Sequence, residues 1–200
     1  MKKCLFAIVF QLLVNSVVIA QQYFPNHAFD KRDDLNNFKV KWYQKPLEAL
    51  KEPSLWDLSQ ARGPDEVYRF LWLRSFHHPV SVRLSISSDG TGTLTTKVCT
   101  GAGGYEPGKL IVNRNEKIGA DRVKWFLDRI DEQQYWSLPT EEEDPNTIGL
   151  DGAQWVLEAV KNGNYKVVDR WSPEKGPIKN LGLILVLDFA RLKLLYQEVY

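Results

Sequence analysis

Residues 153–171 read AQWVLEAVKNGNYKVVDRW, two runs rich in β-branched and aromatic residues separated by Asn162-Gly163. Asn and Gly tolerate the positive φ angles of a type I′ turn, whose twist matches that of the strands it joins. The stretch therefore predicts a β-hairpin with a two-residue loop. Counting back from the turn places Glu158 opposite Val167, with Glu158, Asp169, Tyr165 and Trp171 on one face.

Working outward, PVSVRLSIS (79–87) alternates, with Val80, Val82, Leu84 and Ile86 on one side and Ser81, Arg83, Ser85 and Ser87 on the other. This period of two predicts a half-buried antiparallel strand with a solvated face. EVYRFLWLRSF (66–76) precedes it as a strand, TLTTKVCT (93–100) follows after the turn DGTG (89–92), and KLIVNR (109–114) makes a fourth. In GADRVKWFLDRIDEQQYW (119–136), Val123, Phe126, Leu127 and Ile130 recur at helical spacing. PIKNLGLILVLDFARLKLL (177–195) is apolar on nearly every side and predicts a helix buried against the sheet.

The order is four strands, a helix, a two-strand hairpin and a helix. It predicts an α+β fold, an antiparallel sheet of about six strands with helices packed on one face. Residues 63–200 form that single domain. Residues 21–62 read as an N-terminal helical extension, cut by Pro46 and Pro53 into short helices at about 35–44, 46–51 and 54–58. Trp42, Leu47, Leu50, Leu55 and Trp56 are its expected buried contacts.

The first 20 residues carry Lys2 and Lys3, then the mostly apolar LFAIVFQLLVNSVVIA, with Val18 and Ala20 at the small-residue positions of a cleavage site. This is the pattern of a signal peptide. Gln11 and Asn15 interrupt the run, which falls short of the roughly 20 apolar residues of a spanning helix. The expected mature chain is exported, periplasmic or extracellular, and not an integral membrane protein. Without Lys2 and Lys3 it carries 24 basic against 25 acidic side chains, a balance that argues against nucleic acid as a partner. Cys99 is then the one cysteine, expected to be buried in a strand.

GGYEPGK (103–109) matches most of the phosphate-binding pattern G-x-x-x-x-G-K-[ST]. That chemistry needs a hydroxyl after the lysine and a helix whose N-terminus faces the phosphate. Here Leu110 follows Lys109, Pro107 removes a backbone N–H, and LIV reads as a strand, so no nucleotide is expected. GAGGYE (101–106) places Glu106 where a dinucleotide fingerprint needs glycine. What remains is a long connection anchored by Tyr105, and long ordered loops carry function more often than short ones.

His77-His78-Pro79 offers adjacent histidines at a strand turn, read as a hydrogen-bonded turn or a ligand contact. Neighbouring side chains on an extended segment diverge, and no third ligand stands at metal spacing, so no metal and no cofactor is expected. Glu158 and Asp169, as diagonal neighbours about 7–8 Å apart, could serve acid–base hydrolysis of a polar polymer with a histidine as orienting group. The alternative is that they pair with Arg69, Arg74, Arg83 or Arg170. No nucleophile motif is present. Candidate ligand contacts are thus His77, His78, Tyr105, Glu106, Asp169 and Arg170. One of Asp169 and Arg170 is expected to face a pocket shared with the 101–108 loop, and Trp171 to be mainly structural.

The stretches YRFLWLRSFHHPVSVRL, GAGGYEPGKL, YWSLP and GLDGAQWVLEAVKNGNYKVVDRWSPE resemble a family of exported bacterial proteins of unknown function, over roughly Trp42 to the C-terminus. The resemblance implies a bacterial, extracytoplasmic setting and brings no catalytic residues. Together these readings favour a non-catalytic envelope or periplasmic module that binds a protein, peptide or envelope component. A polymer hydrolase and a structural envelope protein are the alternatives.

Overall fold

The structure, a computed structural model, describes residues 21–61, 66–141 and 151–200. The expected signal peptide, and most of the acidic stretch after Thr140, lie outside the described residues. Six strands form one antiparallel sheet: β1 (Glu66–Arg74), β2 (Val80–Ile86), β3 (Gly92–Cys99), β4 (Leu110–Ile118), β5 (Ala153–Lys161) and β6 (Asn164–Trp171), in the order β4-β3-β2-β1-β5-β6. The first four make a meander. Helix α3 (Ala120–Glu132) then carries the chain across the sheet, so that β5 pairs with the free side of β1. The hairpin has the expected register, Glu158 opposite Val167, and Asn162 (φ 51°) and Gly163 (φ 76°) both take the left-handed conformation a type I′ turn needs.

One face of the sheet presents Tyr68, Phe70, Trp72, Val82, Leu84, Trp155 and Leu157, all fully buried. Against it pack Val123, Phe126 and Ile130 of α3, and Ile178, Leu181, Leu185 and Phe189 of the C-terminal segment. That segment is shorter as an α-helix than its composition suggests. Helix α4 spans Pro177–Leu183, one π-helical turn follows over Ile184–Phe189, and the chain is then irregular up to a short 3-10 turn at Tyr196–Glu198. The apolar residues beyond Phe189 pack on the core from irregular backbone: Leu192 and Leu194 join the cluster, and the terminal Tyr200 carbonyl accepts from Trp155 Nε1 at 2.8 Å.

The opposite face is covered over β1, β5 and much of β2 and β3, and is open to solvent only toward β4, which corrects the reading of β2. Ser81 is fully buried and Arg83 half-buried, because the N-terminal segment covers them. Tyr23, Phe24, Phe29, Tyr43, Leu47 and Leu50 pack on Leu71, Leu73, Cys99, Val156 and Val167, while Leu55 packs on Val67 and Val160. Cys99 is buried here, where its environment pushes the thiol pKa up. The segment holds two helices, α1 (Asp33–Ala49) and α2 (Leu55–Gln60), not three short ones. Helix α1 runs through Pro46, whose missing N–H forfeits one backbone hydrogen bond. Burial of Tyr43, Pro46, Leu47 and Leu50 on the sheet offsets that loss.

A row of charges lies within this second interface. Arg69 sits opposite Arg83 on one side and Glu158 on the other. Two like charges facing each other across a strand pair repel. Here Glu158 binds Arg69 through Nε (2.9 Å) and Nη2 (2.5 Å), and accepts from Tyr165 Oη at 2.8 Å. Glu52, from the connection between α1 and α2, reaches Arg83 Nε at 2.9 Å, Lys97 Nζ at 2.9 Å and Arg69 Nη1 at 3.7 Å. Arg69, Glu52 and Glu158 are fully buried or nearly so. Two carboxylates thus hold three cations and pin the N-terminal layer to the sheet.

Candidate functional site: an aromatic cleft between helix α1 and the glycine loop

Helix α1 presents two stripes. Tyr43, Leu47 and Leu50 face the sheet, and Phe38 and Trp42, one turn apart, lie on an adjacent exposed face. Their rings stack at 6.0 Å with 25° between planes. Across from them stands the β3–β4 loop, held in shape by its own backbone: Gly101 N–H donates to Pro107 O and Ala102 N–H to Glu106 O, both at 2.9 Å. The loop is also fixed to the β1–β2 turn, where Gly103 N–H donates to His77 O at 2.9 Å. A Cβ at Gly103 would sit 2.6 Å from Leu73 Cα and Arg74 N, so only glycine lets the loop lie this close to β1. Tyr105 projects from the loop, 61% exposed, and its ring lies 6.2 Å from that of Phe76.

Between helix and loop is a cleft of about 340 Å³, within the range of roughly 300–1,000 Å³ usual for ligand sites. Its walls are Phe38, Trp42, Tyr105 and Trp171, and Lys39, Tyr43, Leu73, Ser75, Gly104 and Gln154 complete it. A second hollow of about 200 Å³ shares Phe38, Trp42 and Tyr105 and extends toward Lys41, Lys45, Pro46 and Pro107. Together they form a groove along α1.

The polar residues of the first hollow are tied to structure beneath it. Tyr43 Oη donates to Asp169 Oδ2 at 2.6 Å, and Lys39 Nζ lies 3.4 Å from the same oxygen and in contact with Glu141. Burial pushes the Asp169 carboxyl pKa up against the pull of Lys39, while two carboxylates raise the Lys39 pKa against its own desolvation. Asp169 Oδ1 and Gln154 Oε1 are buried acceptors with no donor among the described residues.

The six sequence candidates separate. Tyr105 lines both hollows. Glu106 is at the rim, paired with Lys45 in an exposed contact that contributes little stability. Asp169 lies under the cleft, 4% exposed, and reaches it only through Tyr43 and Lys39. Arg170 is on the opposite face, bound to Thr140 O (2.9 Å) and Pro139 O (3.0 Å). His77 Nδ1 meets Tyr200 Oη at 2.9 Å and His78 Nδ1 meets Gly101 O at 2.9 Å, so both rings position backbone and tail. His77, Glu106, Asp169 and Arg170 do not converge on one pocket. The roles expected of the hairpin end are also exchanged: Trp171 walls the cleft, and Asp169 is the structural residue.

The carboxylates considered for hydrolysis share no open space, since Glu158 is buried against Arg69, and burial pushes its pKa up. The segment after Lys109 is strand β4, so no helix N-terminus faces the glycine loop. Among the described residues no group of three His, Cys, Asp or Glu is placed to hold a metal. A scan against protein-family models finds no match to this chain, and a search of curated proteins finds no significant match.

Proposed function

We propose that this protein is an exported binding module of the bacterial envelope, periplasmic or extracellular, whose ligand lies in the groove between α1 and the glycine loop. The observation that carries this reading is the convergence on one hollow of aromatic side chains from three separate parts of the chain, Phe38, Trp42 and Tyr105 exposed and Trp171 half-buried. Phe38 and Trp42 come from the N-terminal layer, Tyr105 from the β3–β4 loop and Trp171 from the end of β6. Large aromatics left in water at a concave surface, with a few polar groups among them, are the mark of a ligand site. Support for export is the Lys2-Lys3, apolar run and small-residue pattern of the first 20 residues. No helix among the described residues is long and apolar enough to cross a membrane.

The reading is tested by adding solubilised polysaccharide and peptide fractions of a bacterial envelope to the mature protein labelled with ¹⁵N. The indole N–H signals of Trp42 and Trp171 are expected to move with at least one fraction, while those of the buried Trp72 and Trp155 stay in place. If no fraction moves the Trp42 and Trp171 signals, the proposal fails.

A further inference from the structure

Resting on the reading of the groove as a binding site, we infer that its ligand is a stretch of uncharged glycan, with successive pyranose rings lying against the aromatic walls. The walls are flat. Phe38 and Trp42 stack at 6.0 Å with 25° between their planes, and Tyr105, 61% exposed, stands across the groove from them, so flat ring faces line it. A pyranose has a face of C–H groups that matches the electron-rich face of an aromatic ring. The aliphatic side chains of a docking helix instead seek rounded holes. Around the sugar's edge, hydroxyls need donors and acceptors, and the first hollow supplies the Gln154 amide, the Ser75 hydroxyl and the Lys39 ammonium.

Charge and backbone point the same way. Lys39 lies with Asp169 and Glu141, Lys45 with Glu106, and Lys41 adds a third cation, so three cations face three carboxylates and the groove sets up little net field to select a charged ligand. Of the strands that line the hollow, β1 and β5 are paired on each side, and β6, at the sheet edge, already donates its Asp169 N–H to Thr140 O at 2.7 Å, so a peptide finds little open strand edge to extend. Two hollows sharing Phe38, Trp42 and Tyr105 suit a polymer of repeated units better than one compact molecule.

The test is titration calorimetry of the mature protein with tetrasaccharides of β-1,4-glucose, β-1,4-N-acetylglucosamine and α-1,4-glucose, and with a proline-rich decapeptide. At least one tetrasaccharide is expected to bind, and Trp42→Ala and Tyr105→Ala each to weaken it about ten-fold or more. Both side chains are exposed, so both variants are expected to melt within a few degrees of wild type; Trp125→Ala, on the far side of the sheet, is expected to leave binding unchanged. Absence of binding by every tetrasaccharide, or binding untouched by Trp42→Ala, overturns the glycan assignment. Peptide binding lost in Trp42→Ala, without sugar binding, overturns it too while leaving the groove a binding site. The envelope-fraction titration above decides the groove itself.

Discussion

Asp169 shows how a single side chain can stabilise one structure and support another. It is buried under the cleft, and Tyr43 and Lys39, the groups that satisfy it, are also part of the cleft lining. Tyr43→Phe removes one of these donors and leaves a buried carboxylate less satisfied, at an expected cost of about 1–3 kcal/mol in urea unfolding. Trp42→Ala removes a larger ring from an exposed site and is expected to cost under about 1 kcal/mol. The raised Asp169 pKa fixes the sign of a pH effect. Above the ordinary value near 3.8, the folded chain holds this proton more tightly than the unfolded chain, so stability falls as pH rises through the raised value. Glu158 shifts in the same direction from 4.5. Asp169→Asn removes one of the two contributions. The variant should therefore gain stability relative to wild type as pH rises from about 4 toward neutrality. Urea midpoints across that range check it, and a constant difference between the two proteins would count against the assignment. At this scale the sequence marks Tyr105 as a candidate ligand contact, but the anchoring role it suggests for that ring does not hold: backbone hydrogen bonds fix the loop, and Tyr105 projects from it, 61% exposed. Trp42 was not legible, because an aromatic in a helical run is read by default as core.

The elements that frame the groove each depend on one local decision. For the loop it is Gly103, where a methyl group would meet the β1 backbone at 2.6 Å. Gly103→Ala is expected to cost about 1–3 kcal/mol, seen as a lowered melting temperature, and to displace Tyr105. For the hairpin it is the left-handed pair at 162–163. Asn162→Val places a β-branched residue at φ 51°, with an expected loss of about 1–3 kcal/mol in thermal unfolding, whereas Asn162→Gly should be neutral. The hairpin, the alternating β2 and helix α3 were readable because turn chemistry and periodicity agree over short spans. Helix α1 was not. Breaking it at Pro46 lost the register that sets Phe38 and Trp42 beside the stripe of Tyr43, Leu47 and Leu50, and with it the sign of a second, exposed face. The C-terminal helix failed for the opposite reason: uniform apolarity carries no period, so composition could not say where helix gives way to packed irregular chain.

In the whole molecule, two layers meet on one sheet, and the groove lies at the seam of the second. A sheet covered on both sides was hidden by the polar alternation of β2, which resembles a solvated face and is in fact a buried charge network. Removing one member of such a network leaves an uncompensated charge. Glu52→Ala, which strips a carboxylate from Arg83, Lys97 and Arg69, is expected to cost about 3–5 kcal/mol and to loosen the N-terminal layer before the sheet unfolds. Hydrogen exchange would show that order as early loss of protection in α1. The claim on which the account turns is that the seam between α1 and the glycine loop, and not another surface, meets the ligand. The most direct measurement places a photo-crosslinking amino acid singly at Phe38, Tyr105, Ile111 and Trp125, all exposed, and irradiates the cells that make the protein. Adducts confined to Phe38 and Tyr105 are the expected result. Adducts at Ile111 or Trp125 with none at the two groove positions would contradict the account.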